Sequence, residues 1–136
     1  MKILVLCTGN SCRSQIAEGY LKHFADKDVE IYSAGIETHG LNPKAVQVMK
    51  EDGIDISDQT SNNVNEYTNI KFDHVITVCD HARENCPVLP GKHQTHHQNF
   101  PDPAKAVGSV EDVMNEFRKV RDMIREYCRG FLLLVE

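Results

Sequence analysis

The sequence contains no long hydrophobic segment. Its longest uninterrupted apolar runs are residues 3–7 and 131–135, and each is far shorter than the roughly 20 residues that cross a bilayer. Near the amino terminus there is no apolar segment followed by small residues, as a secretory signal requires. We therefore expect a cytoplasmic protein that makes no contact with membranes.

The sequence also lacks an excess of basic residues, internal repeats and Gly/Ser-rich linkers. Its net charge is −5, which argues against general binding of nucleic acids, although a local basic pocket is compatible with it. Because nothing divides the 136 residues, we expect a single domain that covers residues 1–136. A chain of this length needs no metal or disulfide to fold.

The number of cysteines is odd, which excludes a framework in which every cysteine is paired. Five cysteines in 136 residues, in a protein expected in a reducing compartment, favour metal ligation, redox chemistry or nucleophilic catalysis. Buried cysteines also occur as small hydrophobic residues. The position of each cysteine therefore has to decide its role.

Strand-like and helix-like segments alternate along the chain. Apolar runs predict strands at four places, the last of them weakly: residues 2–6, 29–34, 72–78 and 93–100. Helical patterns begin near Ser14, at Pro43 and after Ser109, and the last helix is predicted to end at Gly130. Residues 79–86 are predicted as a loop. This alternation predicts a parallel sheet with helices on both faces, whose ligands bind beyond the carboxyl ends of the strands.

The segment between the first strand and the first helix combines a nucleophile with an arginine. Five residues separate Cys7 from Arg13, and Gly9 and Asn10 tolerate the left-handed backbone that a tight loop needs. The N–H groups of such a loop and of the following helix form an anion nest, and the Arg13 fork matches a tetrahedral oxyanion. These surroundings predict that the pKa of the Cys7 thiol is lowered, so that Cys7 is a thiolate. Ser14 is predicted to donate a further hydrogen bond to its sulfur.

The predicted oxyanion-binding residues follow from this spacing. They form a continuous run: Thr8, Gly9, Asn10, Ser11, Cys12, Arg13 and Ser14. The spacing alone also occurs by chance in loops. The buried strand before it and the helix after it favour the anion site.

A longer motif connects this loop to a known family. Residues 7–15 (CTGNSCRSQ) and 17–19 resemble the phosphate-binding loop of the low-molecular-weight tyrosine phosphatase superfamily, and more closely that of its thioredoxin-coupled arsenate reductases. The likeness continues at residues 32–36, 42–45, 78–79, 86–87 and 102–104. It implies a three-layer α/β sandwich with a four-stranded parallel sheet flanked by helices. It also implies an oxyanion ligand (arsenate, phosphate or sulfate), no tightly bound cofactor and a monomer.

The resemblance also implies a role for the second pair of cysteines. Cys7 attacks arsenic and forms a thiol–arsenate adduct. Cys79 then attacks the sulfur of Cys7, and arsenite leaves. Cys86 attacks Cys79, and thioredoxin reduces the resulting disulfide. The sequence leaves open whether thioredoxin, glutaredoxin or a small thiol is the reductant in the cell.

Asp102 stands between two prolines. In the superfamily an Asp-Pro loop carries the general acid that protonates the leaving oxygen, and Asp102 matches that position. On spacing alone, an Asp-Pro pair equally predicts a turn. The resemblance therefore implies five catalytic residues: Cys7, Cys79, Cys86, Arg13 and Asp102.

We expect no metal ligands among the site residues, and two alternative metal sites are weighed against this expectation. A zinc site is conceivable among residues whose spacing differs from that of the usual zinc knuckles: Cys79, His81, Cys86, His93, His96 and His97. Some relatives bind a monovalent cation near the anion loop, where Thr60 and Asn62 would join Asn10 and Ser33. Asn62 stands where an acidic residue would strengthen such a site, so the cation stays undecided.

Two other functions remain as alternatives to arsenate reduction. A low-molecular-weight protein tyrosine phosphatase would use the same loop and the same Asp102, and a weak phosphatase side activity is compatible with a reductase. The Cys79/Cys86 pair argues against a pure phosphatase, as does Ala104-Lys105, where such phosphatases carry aromatic residues. The second alternative is a non-catalytic protein that binds oxyanions or metals, which five cysteines and seven histidines permit.

Overall fold

The computed structural model describes all 136 residues and contains one sheet of four parallel strands. The strands are β1 (Lys2–Cys7), β2 (Glu30–Gly35), β3 (His74–Thr77) and β4 (Gln94–His97), in the spatial order β2-β1-β3-β4. The helices are α1 (Arg13–Phe24), α2 (Pro43–Glu51), α3 (Asp80–Asn85) and α4 (Val110–Val135). The predicted fold class, an α/β fold on a four-stranded parallel sheet, is confirmed.

Strand β1 lies at the centre of the hydrophobic core. All of its residues from 3 to 7 are buried. Helix α1 packs against β1 and β2 and contributes three fully buried side chains: Ile16, Tyr20 and Leu21. Burial of each such side chain stabilises the fold by roughly 1.5–3 kcal/mol. The loop between β1 and α1 is therefore fixed at both of its ends by the core.

The starts of α2 and α4 follow the capping signals in the sequence. The Asn42 side chain accepts a hydrogen bond from the Lys44 N–H at 2.8 Å, and Pro43 occupies the first helical turn. Ser109 and Asp112 form a reciprocal capping box at the start of α4. Both helices pack against α1 and against each other.

Two boundaries predicted from the sequence are wrong. Helix α4 continues past Gly130, because Phe131 and Leu132 are buried and their burial outweighs the roughly 1 kcal/mol that glycine costs inside a helix. The segment between Cys79 and Cys86, predicted as a loop, forms α3, a helix with one buried and five exposed residues. None of the helices combines the length and apolarity needed to cross a membrane.

The strand order places a topological switch point between β1 and β3. The chain leaves β1 for β2 on one side and returns as β3 on the other side. Leu6 pairs with Thr77, and the Val78 N–H donates to the Leu6 carbonyl at 3.0 Å. Cys7 and Cys79 therefore lie side by side at the carboxyl ends of the two strands, where parallel sheets bind their ligands.

Candidate active site

Residues 7–14, here called the oxyanion loop, are held from outside by backbone hydrogen bonds. Four of their carbonyl oxygens accept N–H groups of residues 36–42 at N···O distances of 2.8–3.2 Å: Cys7, Thr8, Gly9 and Ser11. The amide N–H groups of residues 8–12 donate to no backbone carbonyl. Helix α1 begins at Arg13 without a side-chain cap. The inward-facing N–H groups and the helix N-terminus together form an anion nest.

Asn10 fixes the oxyanion loop from within. It is fully buried, with the left-handed φ of 48° that the sequence predicted. Its Nδ2 donates to Ser14 Oγ at 2.8 Å and to Ser33 Oγ at 2.9 Å. Its Oδ1 accepts from the Asn62 N–H at 2.8 Å, and its carbonyl accepts from Gln15 Nε2 at 2.9 Å. One residue therefore ties together the loop, α1, β2 and the segment after α2.

Gly35 is required by close contacts with the backbone, and Gly9 lies against the exposed ring of His39. A Cβ atom on Gly9 would lie 2.3 Å from His39 Nδ1, and one on Gly35 would lie 2.1 Å from the Glu37 carbonyl oxygen. Of the two loop residues predicted to tolerate a left-handed backbone, only Asn10 adopts it. The role of Gly9 is to allow the loop to approach the His39 ring.

Arg13 and Asp102 face each other across the mouth of the site. Arg13 Nη1 donates to the Phe100 carbonyl at 3.0 Å, and Nη2 lies 3.7 Å from Asp102 Oδ2. The other carboxylate oxygen of Asp102 accepts from the Ala104 N–H at 3.0 Å. Asp102 therefore caps the turn at residues 103–105 and also directs an oxygen toward Arg13. Its role as the general acid stays a prediction.

These groups surround a cavity of about 250 Å³. Ten residues line it: Cys7, Thr8, Gly9, Ser11, Cys12, Arg13, His39, Asp102, Ala104 and Lys105. Asn10 and Ser14, also predicted to bind the oxyanion, support the loop from behind. The Ser14 hydroxyl accepts from the Asn10 amide. No phenylalanine or tyrosine lines the cavity.

Cys7 and Cys79 share a hydrogen bond between their sulfur atoms, and this bond sets their ionisation. The bond and burial raise the pKa of Cys7 above its ordinary value, against the lowering influence of Arg13. The same bond lowers the pKa of Cys79 to about 5, assisted by the Thr8 hydroxyl at 3.2 Å. The two thiols therefore share one proton, and a thiolate at Cys7 stays a prediction.

Cys86 lies at the opposite end of α3 from Cys79. Burial raises the pKa of its thiol, and its sulfur lies 3.4 Å from the Pro87 carbonyl oxygen. The six residues of α3 between the two cysteines extend about 9 Å as a helix. A disulfide needs Cα atoms within about 7 Å. Cys79 therefore contacts Cys7 in this conformation, while Cys86 is out of its reach.

Comparison with known proteins accounts for this combination of an oxyanion nest and a neighbouring cysteine. Residues 2–136 match the family described as low molecular weight phosphotyrosine protein phosphatase. The chain belongs to this family. It is 50% identical over 129 residues to an arsenate reductase from Halalkalibacterium halodurans, covering 95% of this chain and 93% of that protein.

Solved structures of family members agree with the fold and with the resemblance found in the sequence. The chain superposes on an arsenate reductase in the oxidized state with a TM-score of 0.85 and 28% identity, covering 99% of this chain and 98% of that one. It superposes on an arsenate reductase in the phosphate binding state with a TM-score of 0.79 and 29% identity, at the same coverage. The predicted recognition of the family is confirmed.

The polar residues predicted near a monovalent cation lie close together behind the oxyanion loop: Asn10, Ser33, Thr60 and Asn62. The Ser33 hydroxyl donates to Glu18, a buried carboxylate that sequence reasoning missed although it falls inside the family motif. Lys22 Nζ contacts the other oxygen of this carboxylate. The charge of Glu18 is thus paired within the chain, and cation binding stays a prediction.

Three histidines connect β3, β4 and α3: His74, His96 and His97. No group of three or more histidine, cysteine, aspartate or glutamate side chains is arranged to hold a metal ion. The rings of His74 and His96 lie 3.0 Å apart, nitrogen to nitrogen. His97 contacts the Thr77 hydroxyl and Asp80 Oδ1, each at 2.7 Å. The residues considered for zinc are therefore not gathered in one cluster.

The remaining two cysteines are buried and protonated at neutral pH. Burial raises the pKa of Cys12 to about 11, although this residue lines the cavity. Cys128 lies in the core on α4, and burial raises the pKa of its thiol as well. Neither has the thiolate character that nucleophilic attack requires.

Proposed function

We propose that this protein reduces arsenate to arsenite through a thiol relay of Cys7, Cys79 and Cys86, with thioredoxin as the reductant. One observation carries the proposal: Cys79 lies beside Cys7 at the ends of two paired strands, with its sulfur 3.2 Å from the Thr8 hydroxyl of the oxyanion loop. A phosphatase needs one cysteine there, whereas a reductase needs a second thiol within reach of the first. The arsenate reductases among the relatives support this choice.

The first step is the attack of Cys7 on arsenic. The N–H groups of the oxyanion loop and the Arg13 fork hold the oxyanion. Transfer of the shared proton from Cys7 to Cys79 makes Cys7 the thiolate. Its sulfur bonds to arsenic, and one arsenic–oxygen bond breaks. Asp102 is placed to give the departing oxygen a proton, so that water leaves.

The second step carries the redox chemistry. Cys79, again as a thiolate, attacks the Cys7 sulfur. The sulfur–arsenic bond breaks, and its electron pair stays on arsenic, which leaves as arsenite. The products are a Cys7–Cys79 disulfide and arsenic reduced by two electrons. Because Cys79 already lies beside Cys7, this step needs little movement of the chain.

The third step requires α3 to unwind. Cys86 has to reach Cys79 from the far end of a helix longer than a disulfide allows. Unwinding also exposes Cys86 to water, which removes the burial that raises its pKa. Attack on Cys79 then releases Cys7 as a thiolate and leaves the Cys79–Cys86 disulfide.

The proposal also includes thioredoxin as the partner, and it takes this protein to be monomeric and cytoplasmic. The final disulfide would form at Cys86, which is partly exposed and stands two residues before Val88, whose side chain is 96% exposed. A dithiol protein reduces a disulfide by direct exchange and therefore needs such access.

A protein tyrosine phosphatase is the second candidate, because the family is named for that activity. The cavity argues against it as the main function. Ala104 and Lys105 form its rim, and no phenylalanine or tyrosine is present to stack on a phosphotyrosine ring. The shared chemistry of Cys7, Arg13 and Asp102 is still compatible with slow hydrolysis of small aryl phosphates.

Replacement of single relay cysteines tests the proposal. Cys86→Ser should produce one arsenite per enzyme and then stall as a Cys7–Cys79 disulfide, detected by peptide mapping. Cys79→Ser should stop earlier, at the arsenic adduct, with little or no arsenite released in the absence of an external thiol. Both variants should keep any slow hydrolysis of an aryl phosphate, which needs no second thiol.

Cys128→Ala provides the matched control, because Cys128 is buried outside the site, and it should turn over repeatedly. If the Cys79→Ser and Cys86→Ser variants also reduced arsenate repeatedly with thioredoxin, the relay would be refuted and the phosphatase function would take first place. Repeated turnover of the unmodified protein with glutaredoxin but not with thioredoxin would overturn the assigned partner alone.

A further inference from the structure

One hydroxyl group stands between a redox cysteine and a histidine that the relay does not use. Thr8 Oγ1 lies 3.2 Å from Cys79 Sγ and 3.2 Å from His81 Nδ1. Thr8 belongs to the oxyanion loop, while Cys79 and His81 come from the start of α3. The three groups therefore form a hydrogen-bonded chain across the boundary between the two parts of the site.

A hydroxyl has one hydrogen to donate, so this chain has only two consistent directions. When the Cys79 S–H donates to Thr8, the Thr8 hydrogen goes to a bare Nδ1 of His81. When Cys79 is a thiolate, it can only accept. The Thr8 hydrogen then points to sulfur, and His81 has to carry a hydrogen on Nδ1 and donate it to Thr8.

We infer that His81 is a positioning residue for the relay: it turns the Thr8 hydroxyl toward Cys79 and so favours the Cys79 thiolate. The inference rests on the proposed function, because only the relay requires Cys79 as a nucleophile. Adjacent hydrogen bonds polarise one another, so a donor at Thr8 Oγ1 strengthens the bond that this hydroxyl makes to sulfur. The direction agrees with the lowered pKa of Cys79, to which Thr8 contributes.

The same chain provides a route for one proton. After Cys79 has received the proton of Cys7, it must lose it before it can attack. The Cys79 S–H bond breaks as the proton passes to Thr8 Oγ1, and the former Thr8 hydrogen passes to His81 Nδ1. The His81 side chain is exposed, so water can take this proton from the imidazole. No electron moves, and one proton leaves the site.

The location of His81 limits this assistance to one stage of the relay. His81 lies two residues after Cys79 on α3. When α3 unwinds for the attack of Cys86, both residues leave Thr8 together. His81 therefore favours the Cys79 thiolate only while Cys79 faces Cys7, which is the stage at which Cys79 acts as the nucleophile.

The test measures the ionisation of Cys79 directly, without arsenate. The rate of Cys79 alkylation by iodoacetamide is followed from pH 4.5 to 8.5 in the reduced full-length protein, with peptide mapping to separate the cysteines. His81→Ala should lower this rate about three- to tenfold near pH 5–6 and leave it unchanged at pH 8, where Cys79 is ionised in either protein. Because no arsenate is used, the outcome does not depend on whether the protein reduces it.

Two isosteric variants separate positioning from simple loss of the side chain. His81→Asn places an amide nitrogen at the position of Nδ1 and should restore the wild-type profile. His81→Gln places its amide nearer the position of Nε2 and should behave like His81→Ala. Urea unfolding of each variant checks that the fold is intact, which we expect because His81 is exposed.

A double-mutant cycle with Thr8→Val tests whether His81 acts through the hydroxyl. In the Thr8→Val background, His81→Ala should change the Cys79 profile no further. Identical profiles for the wild type, His81→Ala and His81→Gln would overturn the inference. It would also be overturned if the His81→Ala effect persisted in the Thr8→Val background, because that would show direct action of the imidazole charge on the thiolate. The titratable and charged groups that face Cys79 or share its helix remain in all variants: Cys7, Arg13, Asp80, Arg83 and Glu84.

Discussion

The oxyanion loop and the segment from Cys79 to Cys86, here called the redox segment, meet at one cavity but are built differently. The loop is enclosed: Asn10 is fully buried, and four loop carbonyls accept backbone hydrogen bonds. In the redox segment, five of the six helical residues are exposed. Side chains tie this helix to its surroundings mainly at its first turn, through Asp80 and His81.

This difference matches what each part has to do. The oxyanion loop has to keep donors fixed around a charged group through every step, and preorganised donors avoid reorganisation during the reaction. The redox segment has to release Cys79 from Cys7 and bring it to Cys86. Segments that open locally are those with few buried contacts. Outside the relay cysteines themselves, we therefore expect substitutions in the loop to cost more activity and stability than comparable substitutions in the redox segment.

The largest effect is expected for Cys7→Ser. A serine hydroxyl is not ionised at neutral pH and cannot form the sulfur relay, so arsenate turnover should be abolished. Binding of phosphate or arsenate, measured by calorimetry, should survive, because the N–H groups of the loop and Arg13 remain. Measurable turnover in this variant would remove Cys7 as the nucleophile.

The next largest effect is expected for Arg13→Lys. Lysine keeps the charge but loses the planar fork, one nitrogen of which is anchored on the Phe100 carbonyl while the other faces Asp102. Loss of such a contact should lower kcat/KM by roughly 10²–10³, which corresponds to about 3–4 kcal/mol of transition-state stabilisation. Wild-type kinetics with an unchanged unfolding midpoint would show that Arg13 does not contact the oxyanion.

Asn10→Ala should lower the stability of the fold more than it lowers the rate of the reaction. The substitution leaves a partly buried Asn62 N–H without its acceptor, removes the donor to the buried Ser14 and Ser33 hydroxyls, and places alanine at a positive φ. Together these effects should lower the free energy of unfolding by roughly 3 kcal/mol. Urea unfolding should show a lower midpoint with an unchanged slope. The matched change in the other region is Asn99→Ala, whose exposed side chain accepts one bond from the Asp80 N–H, and it should cost under about 1 kcal/mol.

The oxyanion loop could be predicted from the sequence because its chemistry is local. The spacing of Cys7 and Arg13, the strand before them and the helix after them are all contiguous, and the structure gathers them around one cavity. The ionisation of Cys7 could not be predicted in the same way. It depends on Cys79, which comes from another strand, and on which of two neighbouring thiols keeps the proton.

The two wrong boundaries have the same kind of cause. Gly130 is a strong local signal for the end of a helix, but the burial of Phe131 and Leu132 depends on how α4 lies across the sheet. The polar sequence of α3 carries no apolar pattern, so its helix depends on contacts at its ends. Local propensity is a weak guide where tertiary contacts decide. The redox segment was therefore the part of the site least accessible from sequence.

The smallest effect is expected for Asp80→Ala, at the first residue of α3. Asp80 Oδ1 lies 2.7 Å from His97 Nε2, and the side chain is 57% exposed. An exposed pair of this kind, together with the favourable position of a carboxylate at a helix N-terminus, should stabilise α3 by about 0.5–1 kcal/mol. Hydrogen exchange of the α3 amides should become roughly two- to fivefold faster, while global unfolding by urea stays nearly unchanged.

Glu84→Ala is the control, because this carboxylate is exposed on the same helix but lies away from its first turn; exchange in α3 should stay within about twofold of the wild type. If Asp80→Ala instead lowered the global free energy of unfolding as much as Asn10→Ala does, α3 would unfold only with the whole domain. Cys86 could then reach Cys79 only through global unfolding, and the proposed difference between a fixed loop and a releasable redox segment would be wrong.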